Sequence, residues 1–182
     1  MNEKMIMSEK KFCAVSNTVS IVAFLLAAVI FIMNFGFCIV DGSSMFPTME
    51  NGNVAMISFN SIKSIDYDDI IVLFSNDEHE NRVHNGFEFF KRSRIDKQFL
   101  LVKRVIGLPG DTIEIHDGYV WRNGEKLECP YTNGPTNGDF GPYAVEEGHI
   151  FCLGDNRDYS ADSRSFGAFP MNGVVGKVLF HI

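Results

Sequence analysis

The feature that most constrains this chain is a stretch near its N-terminus that carries no charged side chain. It covers the 29 positions from Phe12 to Val40 and contains the apolar run VSIVAFLLAAVIFIMNFGFCIV. A helix needs about 20 apolar residues to cross the hydrocarbon core of a bilayer, and a longer run fits by tilting. We therefore predict a transmembrane anchor helix at residues 15–40, behind a cytoplasmic tail at residues 1–14.

A cleaved signal peptide is the alternative interpretation of the same run. The apolar region of a signal peptide has about 7–15 residues and ends in a small-x-small cleavage site. The run in this chain is longer, and its end, FGFCIV, offers no such site. These two differences favour an anchor that is retained.

The lysines around the run predict its orientation in the membrane. Lys4, Lys10 and Lys11 precede the run, whereas the first cation after it is Lys63. Because positively charged residues flank membrane segments on the cytoplasmic side, the N-terminus is predicted to lie in the cytoplasm. The protein is then a single-pass protein of the cell membrane, and residues 41–182 form one extracytoplasmic domain.

The external part carries the patterns of strands and tight turns. Two dipeptides, Asp117-Gly118 and Asn123-Gly124, favour the positive φ angles of hairpin turns. Strands are predicted within residues 52–59, 69–74, 98–107, 112–127, 149–156 and 173–182, and long loops at residues 75–97 and 132–143. The predicted fold class is all-β, a partly closed barrel or sandwich behind one N-terminal transmembrane helix.

Charge and residue spacing limit the partners of the chain. The formal net charge of −7 argues against nucleic acid, whose phosphates require a basic face. Neither the four cysteines nor the five histidines show the spacing of a metal site, so no metal is predicted. Cys129 and Cys152 can pair if they lie outside the cell, and the sequence leaves this alternative open.

Two serines, Ser43 and Ser44, follow the apolar run within VDGSSMFPTM. A serine hydroxyl is a poor nucleophile until a nearby base takes its proton. Histidine is the usual base, and Ser-Lys pairs also exist. The sequence therefore raises the question of which base serves one of these two serines.

Lys103 is the candidate base. Alternate residues of a strand share a face, so Lys103 lies between Leu101 and Val105. Burial between apolar neighbours lowers the pKa of a lysine from its usual value of about 10.4 and leaves a neutral amine that can act as a base. Arg104 cannot do this, because a guanidinium does not lose its proton. The alternative interpretation is an edge-strand lysine whose amine reaches water.

The segment GDNRDYSADSRSFG, from Gly154 to Gly167, is unusually rich in charge. One interpretation is a solvated loop. The other is a rigid loop, because Asn, Asp and Ser side chains bind nearby backbone and Asp162 can pair with Arg164. A rigid loop can hold Ser160 against another group, and composition does not choose between the two.

Four blocks occur together in this chain behind its N-terminal anchor: GSSMFPTM, NGNVAMI, VKRVIGLPGDTIE and GDNRDYSADSRSFG. In these blocks and their order the chain resembles the bacterial type I signal peptidases, or leader peptidases, in the short form typical of Gram-positive bacteria. The resemblance implies a signal-peptidase-like β-rich external domain. It also implies a membrane-bound serine endopeptidase that removes signal peptides from secreted preproteins with a Ser-Lys dyad and without a cofactor.

The resemblance implies a role for individual residues. Ser44 takes the position of the nucleophile, and Lys103 takes that of the general base. Ser160 matches a serine that binds the lysine amine and orients it. Asp162 and Arg164 match a structural ion pair beside the site.

The resemblance extends to the substrate side of the site. Val40 and Val102 match positions that help to line shallow pockets for small substrate side chains. Gly42 departs from relatives that carry a serine there, whose hydroxyl helps to stabilise the oxyanion. The oxyanion hole is therefore expected to rest on the backbone N–H of Ser44, with Gly42 allowing the substrate to approach closely.

The predicted partners are signal-peptide-bearing preproteins and membrane lipids, with the secretion translocase as an open alternative. Three other interpretations stay open. One is a Ser-Lys peptidase dedicated to a conjugation or pilus protein. Another is a self-cleaving repressor peptidase, although that group carries a DNA-binding domain where this chain has its anchor. The last is a non-enzymatic, membrane-anchored β domain that binds peptides.

Overall fold

The structure is a computed structural model that describes residues 3–60, 64–74 and 100–182, with side chains from residue 15 onward. The predicted loop at residues 75–97 lies outside the described residues. Within those ranges an N-terminal helix precedes two antiparallel sheets, which confirms the predicted fold class. The elements are α1 (Glu3–Asn34), β1 (Phe35–Ile39), β2 (Val54–Ser58), β3 (Ile70–Phe74), β4 (Leu100–Gly107), β5 (Thr112–His116), β6 (Tyr119–Arg122), β7 (Glu125–Lys126), β8 (Phe140–Ala144), β9 (His149–Leu153), α2 (Ser163–Phe166), β10 (Phe169–Pro170) and β11 (Val174–His181).

Helix α1 ends earlier than the sequence predicts. Its part Val15–Asn34 is long and apolar enough to cross a membrane. The predicted continuation of the helix to Val40 is wrong, because Phe35–Ile39 pairs with β2 as strand β1. Hydropathy does not distinguish a helix from a strand in so short an apolar run. Gly36 suits the strand, since a Cβ at this position would lie 2.7 Å from the Phe59 ring.

The larger sheet has seven strands in the order β1-β2-β11-β3-β4-β9-β10. Its strand register shifts at three places, between Val105 and Gly107, between Val174 and Gly176, and between Val178 and Phe180. Irregularities of this kind bend a strand and increase its twist. The sheet accordingly curls into a half-barrel.

The smaller sheet has four strands in the order β7-β6-β5-β8. Asp117 and Asn123 begin its two tight turns and both adopt positive φ angles, as the turn sequences predict. The predicted loop at residues 132–143 is wrong at its end, where Phe140–Ala144 pairs with β5 as β8. Glycine and proline in FGPYA conceal this strand from a pattern search, and its place at the sheet edge is where proline is tolerated.

Apolar clusters fix the two sheets and the turn after β1. Met45 and Met49 of that turn are buried in the cluster formed with β2 and β11. Phe151 of the larger sheet packs with Ile113 of the smaller one in another cluster, which joins the sheets. Burial of large apolar side chains is the main favourable contribution to folding, so these contacts set the relative positions of the segments that carry the site.

Cys129 and Cys152 are both free thiols, so the disulfide considered from the sequence is not formed. Cys152 is fully buried in β9, opposite Val105 of β4. Cys129 follows β7, and its sulfur accepts a hydrogen bond from the Tyr131 hydroxyl. The two thiols therefore have different neighbours.

Candidate active site

Ser44 and Lys103 are in direct contact, with Ser44 Oγ 3.0 Å from Lys103 Nζ. Ser44 lies in the turn that follows β1, whereas Lys103 lies in the middle of β4. The fold thus brings together the two residues that the sequence predicts as nucleophile and general base. Ser43 also lies in this turn and is exposed.

Lys103 is buried, with 2% of its surface exposed. Its strand neighbours Leu101 and Val105 pack in the same apolar cluster, as the alternation along the strand predicts. Strand β4 is not an edge strand, because β3 and β9 pair with it on either side. This excludes the alternative of an edge-strand lysine with its amine in water. The amine instead donates a hydrogen bond to the Val102 carbonyl oxygen at 2.9 Å.

The surroundings of Lys103 favour its neutral form. Burial lowers the pKa of Lys103 below its usual value, because the ammonium loses its hydration. Negative charge on Asp162 and Asp155 acts in the opposite direction and offsets part of this effect. The net result is a lowered pKa, so a larger fraction of the amine can accept a proton near neutral pH.

The loop after β9 holds the turn that carries Ser44. The backbone N–H of Asn156 donates to the Ser44 carbonyl oxygen at 3.0 Å. The side-chain amide of Asn156 donates to the Ser43 carbonyl oxygen at 2.9 Å. With Met45 and Met49 buried on the same turn, the backbone of Ser44 is fixed while its side chain stays partly exposed.

The backbone before Ser44 is open to a ligand. Gly42 adopts a φ of +103°, which residues with a side chain rarely adopt, and a Cβ there would meet no atom within 4 Å. Its N–H donates to Asn51 Oδ1 at 2.8 Å. In the described part of the chain, the Ser44 N–H has no hydrogen-bond partner. This N–H is therefore available to bind an oxyanion.

Val40 and Val102, the predicted pocket residues, meet in one apolar cluster. Val40 is buried with the turn residues of this cluster, and the partly buried Val102 packs against it. Val102 also precedes Lys103 and accepts its hydrogen bond. The two valines are therefore next to the Ser44–Lys103 pair, and their contact with a substrate stays a prediction.

Asp162 and Arg164 form an ion pair, with Asp162 Oδ1 2.9 Å from Arg164 Nε. The fully buried Asp162 carboxylate also accepts the Gly154 N–H at 3.0 Å and caps helix α2. Arg164 Nη2 donates to the Arg157 carbonyl oxygen at 2.5 Å. These bonds cross-link the segment from Gly154 to Gly167, which agrees with a rigid loop rather than a solvated one.

The Ser160 hydroxyl is buried and, among the described residues, has no hydrogen-bond partner. The predicted bond from Ser160 to the Lys103 amine is therefore not formed in this structure. Gly154 lies against Ser160, since a Cβ added to Gly154 would lie only 2.2 Å from Ser160 Oγ. An orienting role for Ser160 stays a prediction.

Comparison with known proteins identifies the family. The profile of the family described as signal peptidase, peptidase S26, matches residues 14–182. The chain belongs to this signal peptidase family. The resemblance observed in the four sequence blocks is thereby confirmed.

Relatives of the signal peptidase family extend over most of the chain. Signal peptidase I of Bacillus caldolyticus is 37% identical over 158 residues, which cover 78% of this chain and 76% of the relative. Signal peptidase I S of Bacillus subtilis (strain 168) is 32% identical over 174 residues, which cover 88% and 83%. A crystal structure of a signal peptidase I from Enterococcus faecalis V583 covers 66% of this chain and 100% of its own, at 30% identity and a TM-score of 0.46. The two Bacillus relatives confirm the predicted enzyme class, a signal peptidase.

The signal peptidase site contains a buried ion pair that the sequence analysis missed. The Arg104 guanidinium binds the Asp155 carboxylate through two bonds, Nε to Oδ1 at 2.8 Å and Nη2 to Oδ2 at 2.6 Å. The hydroxyl of Thr48, in the nucleophile turn, donates to the same carboxylate. One signal was present: an arginine next to Lys103 on an apolar strand has to find a partner if it is buried.

The structure also has a cavity of about 560 Å³ that lies apart from the dyad. Its walls come from the smaller sheet and the segment between β7 and β8, including Tyr119, Cys129 and Thr136, and from Arg157. Neither Ser44 nor Lys103 lines it.

Proposed function

We propose that this chain is a membrane-bound serine endopeptidase that removes N-terminal signal peptides from secreted preproteins. Ser44 is the nucleophile, and Lys103 is the general base. The single observation that carries the proposal is the 3.0 Å contact between the Ser44 hydroxyl and a buried lysine amine. The names of the Bacillus relatives, signal peptidase I and signal peptidase I S, support the same substrate class.

In the acylation step the neutral Lys103 amine takes the proton of the Ser44 hydroxyl while Oγ attacks the scissile carbonyl carbon. The resulting intermediate collapses as the carbon–nitrogen bond breaks. The Lys103 ammonium gives its proton to the departing amine, which becomes the new N-terminus of the mature protein. The signal peptide remains bound to Ser44 as an ester.

In the deacylation step a water gives a proton to Lys103 and attacks the ester carbonyl carbon. The Ser44 oxygen then leaves and takes its proton back from the lysine. One peptide bond has been hydrolysed by one water, and both residues return to their starting states. The residues that take part need no cofactor for this sequence.

Negative charge develops on the carbonyl oxygen during both steps, and a hydrogen-bond donor has to stabilise it. The unpartnered N–H of Ser44 is the proposed donor, with Gly42 providing space for the substrate backbone. Val40 and Val102 are proposed to line shallow pockets that accept small side chains before the cleaved bond. Larger side chains would collide with these pockets and be rejected.

We propose that the anchor holds this site at a membrane surface. Residues 1–14 are proposed to lie in the cytoplasm and residues 41–182 outside, on the basis of the lysines before the apolar run. A protease added to intact cells should then degrade the domain 41–182. The secretion translocase stays an open alternative as a further partner of this domain.

Contact with lipids is supported by an apolar surface next to the anchor. Phe37 and Ile39 of β1 are 48% and 73% exposed, and Phe180 and Ile182 at the C-terminus are 50% and 77% exposed. Phe37 on β1 and Phe180 on β11 both pair with Met56 of β2, so they lie on the two strands that flank β2 in the larger sheet. Exposed apolar surfaces of this kind typically mark interaction sites, and α1 leads directly into this one.

The proposal is tested with the detergent-solubilised full chain and one secretory precursor. The wild-type protein should cut the precursor once, after a small side chain, and mass spectrometry locates the cut. Ser44→Ala should abolish the cleavage, whereas Ser43→Ala is the matched control and should retain it. Cleavage by Ser44→Ala at the wild-type rate would refute the assignment of the nucleophile. No cleavage of any secretory precursor by the wild-type protein would refute the substrate class.

A further inference from the structure

Tyr131 covers one face of the Arg104 guanidinium, with Arg104 Cζ 3.8 Å from the centre of the tyrosine ring. The Tyr131 hydroxyl donates to Asp68 Oδ1 at 2.7 Å. Asp68 also accepts a bond from Arg104, through its backbone carbonyl oxygen, 2.9 Å from Nη1. Tyr131 is thus held at both ends, by the cation under its ring and by a residue that binds the same cation.

The Arg104 guanidinium connects the two halves of the dyad. Arg104 follows Lys103 on β4, and its bidentate partner Asp155 precedes Asn156, which binds the Ser44 carbonyl oxygen. The ion pair therefore joins the strand of the base to the loop that positions the nucleophile. The segment of Tyr131 reaches the same carboxylate residue, since the Asn133 N–H donates to the Asp155 carbonyl oxygen at 3.3 Å.

We propose that Tyr131 is a positioning residue for the Ser44–Lys103 pair, acting through the Arg104–Asp155 ion pair. This proposal rests on the function proposed above. An aromatic face stabilises a guanidinium most where water is excluded, and Arg104 is 8% exposed. Without the ring, water reaches the guanidinium face and competes with Asp155 for its donors. The ion pair then loosens, and the distance between Ser44 Oγ and Lys103 Nζ is no longer fixed.

A loosened Arg104–Asp155 ion pair should change the pKa of Lys103. A purely structural role of Tyr131 would leave this pKa unchanged. The described groups that face the Lys103 amine are the carboxylates of Asp162 and Asp155 and the thiol of Cys152, with Arg164 and Arg104 paired to the two carboxylates. If Arg104 moves away, the negative charge of Asp155 is less compensated and stabilises the ammonium. The pKa of Lys103 then rises, and the acid limb of the activity profile shifts to higher pH.

Tyr131 itself does not contribute a titration to this profile. Burial and the hydrogen bond to Asp68 raise the pKa of Tyr131 well above its usual value, so the phenol stays protonated. Its hydroxyl remains a donor to Asp68 across the pH range of the assay. A shift of the acid limb in a Tyr131 variant therefore reports on Lys103.

The test measures kcat/KM against pH for the detergent-solubilised full chain on a peptide with the cleavage site of a secretory precursor. Tyr131→Leu, which removes the ring, should lower the high-pH plateau about tenfold and raise the midpoint of the acid limb. Tyr131→Phe keeps the ring and loses only the hydroxyl, with its contacts to Asp68 and Cys129, so its midpoint should equal that of the wild type. If Tyr131→Leu shows no cooperative unfolding transition, Tyr131→Met takes its place with the same expectation.

Tyr67 provides a matched control within the chain. Arg122 lies over its ring at 3.6 Å, and its hydroxyl donates to Asp111 at 3.0 Å. Tyr67→Leu therefore removes another Arg–Tyr stack of the same domain, a more exposed one that does not lead to the dyad, and its midpoint should stay at the wild-type value. A wild-type midpoint in Tyr131→Leu, or an equal shift in Tyr67→Leu, would overturn the proposal.

The same series separates this proposal from the proposed function. If Ser44→Ala is inactive while Tyr131→Leu has a wild-type profile, the function stands and the role of Tyr131 is wrong. If Ser44→Ala cleaves as well as the wild type, the proposed function is wrong and the role of Tyr131 falls with it.

Discussion

Asn156 binds the carbonyl oxygen of Ser44 through its backbone N–H, at 3.0 Å. A second bond runs from the Asn156 side-chain amide to the Ser43 carbonyl oxygen. The nucleophile is therefore positioned by a loop that lies more than a hundred residues later in the sequence, and that loop also carries Asp155 and Asp162. The position of Ser44 depends on this loop as much as on its own turn.

The Asn156 amide should matter for catalysis more than for stability. Asn156→Ala removes one of the two bonds, and we expect unfolding to become easier by about 1 kcal/mol. A small displacement of a reacting group is costly in rate, so kcat should fall about tenfold or more. Asn137→Ala is the control, because its amide binds the exposed Asp158 carboxylate away from the dyad. Equal rates for both variants and the wild type would contradict this prediction.

The activity of the wild-type protein should fall at low pH with the protonation of Lys103. Burial lowers the pKa of Lys103, and the neutral amine is the active form, so activity is present above this pKa and is lost below it. A profile of kcat/KM against pH should show one acid limb whose midpoint lies below 10.5. Lys103→Arg should be inactive at every pH, because a guanidinium keeps its proton. Retained activity in Lys103→Arg would rule out a general base at this position.

The buried amine should also cost stability in a defined pH range. The unfolded chain binds a proton at Lys103 up to pH 10.5, whereas the folded chain releases it at its lowered pKa. Between these two values the wild type gains stability as pH rises, by about 1.4 kcal/mol per pH unit. Lys103→Met has no amine to bury or to titrate. It should therefore be more stable than the wild type at neutral pH, and this difference in stability should shrink toward pH 10.5. Urea unfolding at several pH values measures the difference.

A surface lysine tests whether the change of stability with pH comes from Lys103. Lys126 is exposed and lies over the Tyr119 ring at 3.4 Å. Lys126→Met should leave the pH dependence of unfolding as in the wild type. If the difference in unfolding free energy between the wild type and Lys103→Met did not change with pH, a lowered pKa of Lys103 would be contradicted.

Local patterns were sufficient to predict the strand that carries the base. Leu101, Lys103 and Val105 share a face in an eight-residue strand, as alternation requires. The sequence also predicted the neighbouring ion pair of Asp162 and Arg164, which lie two positions apart in one charged segment. In both cases the partners are close in sequence, and the period of the strand or the turn determines which of them meet.

The contacts that the sequence did not predict join distant segments. Arg104 and Asp155 are 51 positions apart, and Tyr131 lies between them in sequence, on the segment that joins β7 to β8. No local period links such residues, because the curl of the sheet decides which of them meet. The end of α1 was missed for a related reason: Phe35–Ile39 is apolar enough for a helix, and only its pairing with β2 makes it a strand.

The Ser160 hydroxyl gives a test of its predicted role. It is buried and lacks a hydrogen-bond partner among the residues described, so its removal should not destabilise the fold. We expect Ser160→Ala to unfold at the same urea concentration as the wild type or a higher one. If Ser160 orients Lys103 when a substrate is bound, kcat should nevertheless fall at least tenfold. Unchanged kcat would remove Ser160 from the site.

Gly154 should not tolerate a side chain. A Cβ at this position would lie 2.2 Å from Ser160 Oγ and 2.5 Å from the Ser44 carbonyl oxygen, which is backbone and cannot rotate away. Gly154→Ala should therefore displace Ser44 and lower the free energy of unfolding by about 1–3 kcal/mol. The rate of cleavage of the secretory precursor should fall by a larger factor than the loss of folding free energy alone explains. The reason is that the displaced atom, the carbonyl oxygen of Ser44, belongs to the same residue as the attacking hydroxyl.

Gly173 is the matched control for this substitution. A Cβ there would come no closer than 3.7 Å to another atom, Pro170 Cγ, which is ordinary van der Waals contact. Gly173→Ala should keep wild-type cleavage and stability. Because both variants add one methyl group in the same domain, a difference between them isolates the contact with Ser44. Wild-type cleavage by Gly154→Ala would show that the turn and the loop after β9 are not held as closely as the Ser44–Asn156 bond implies.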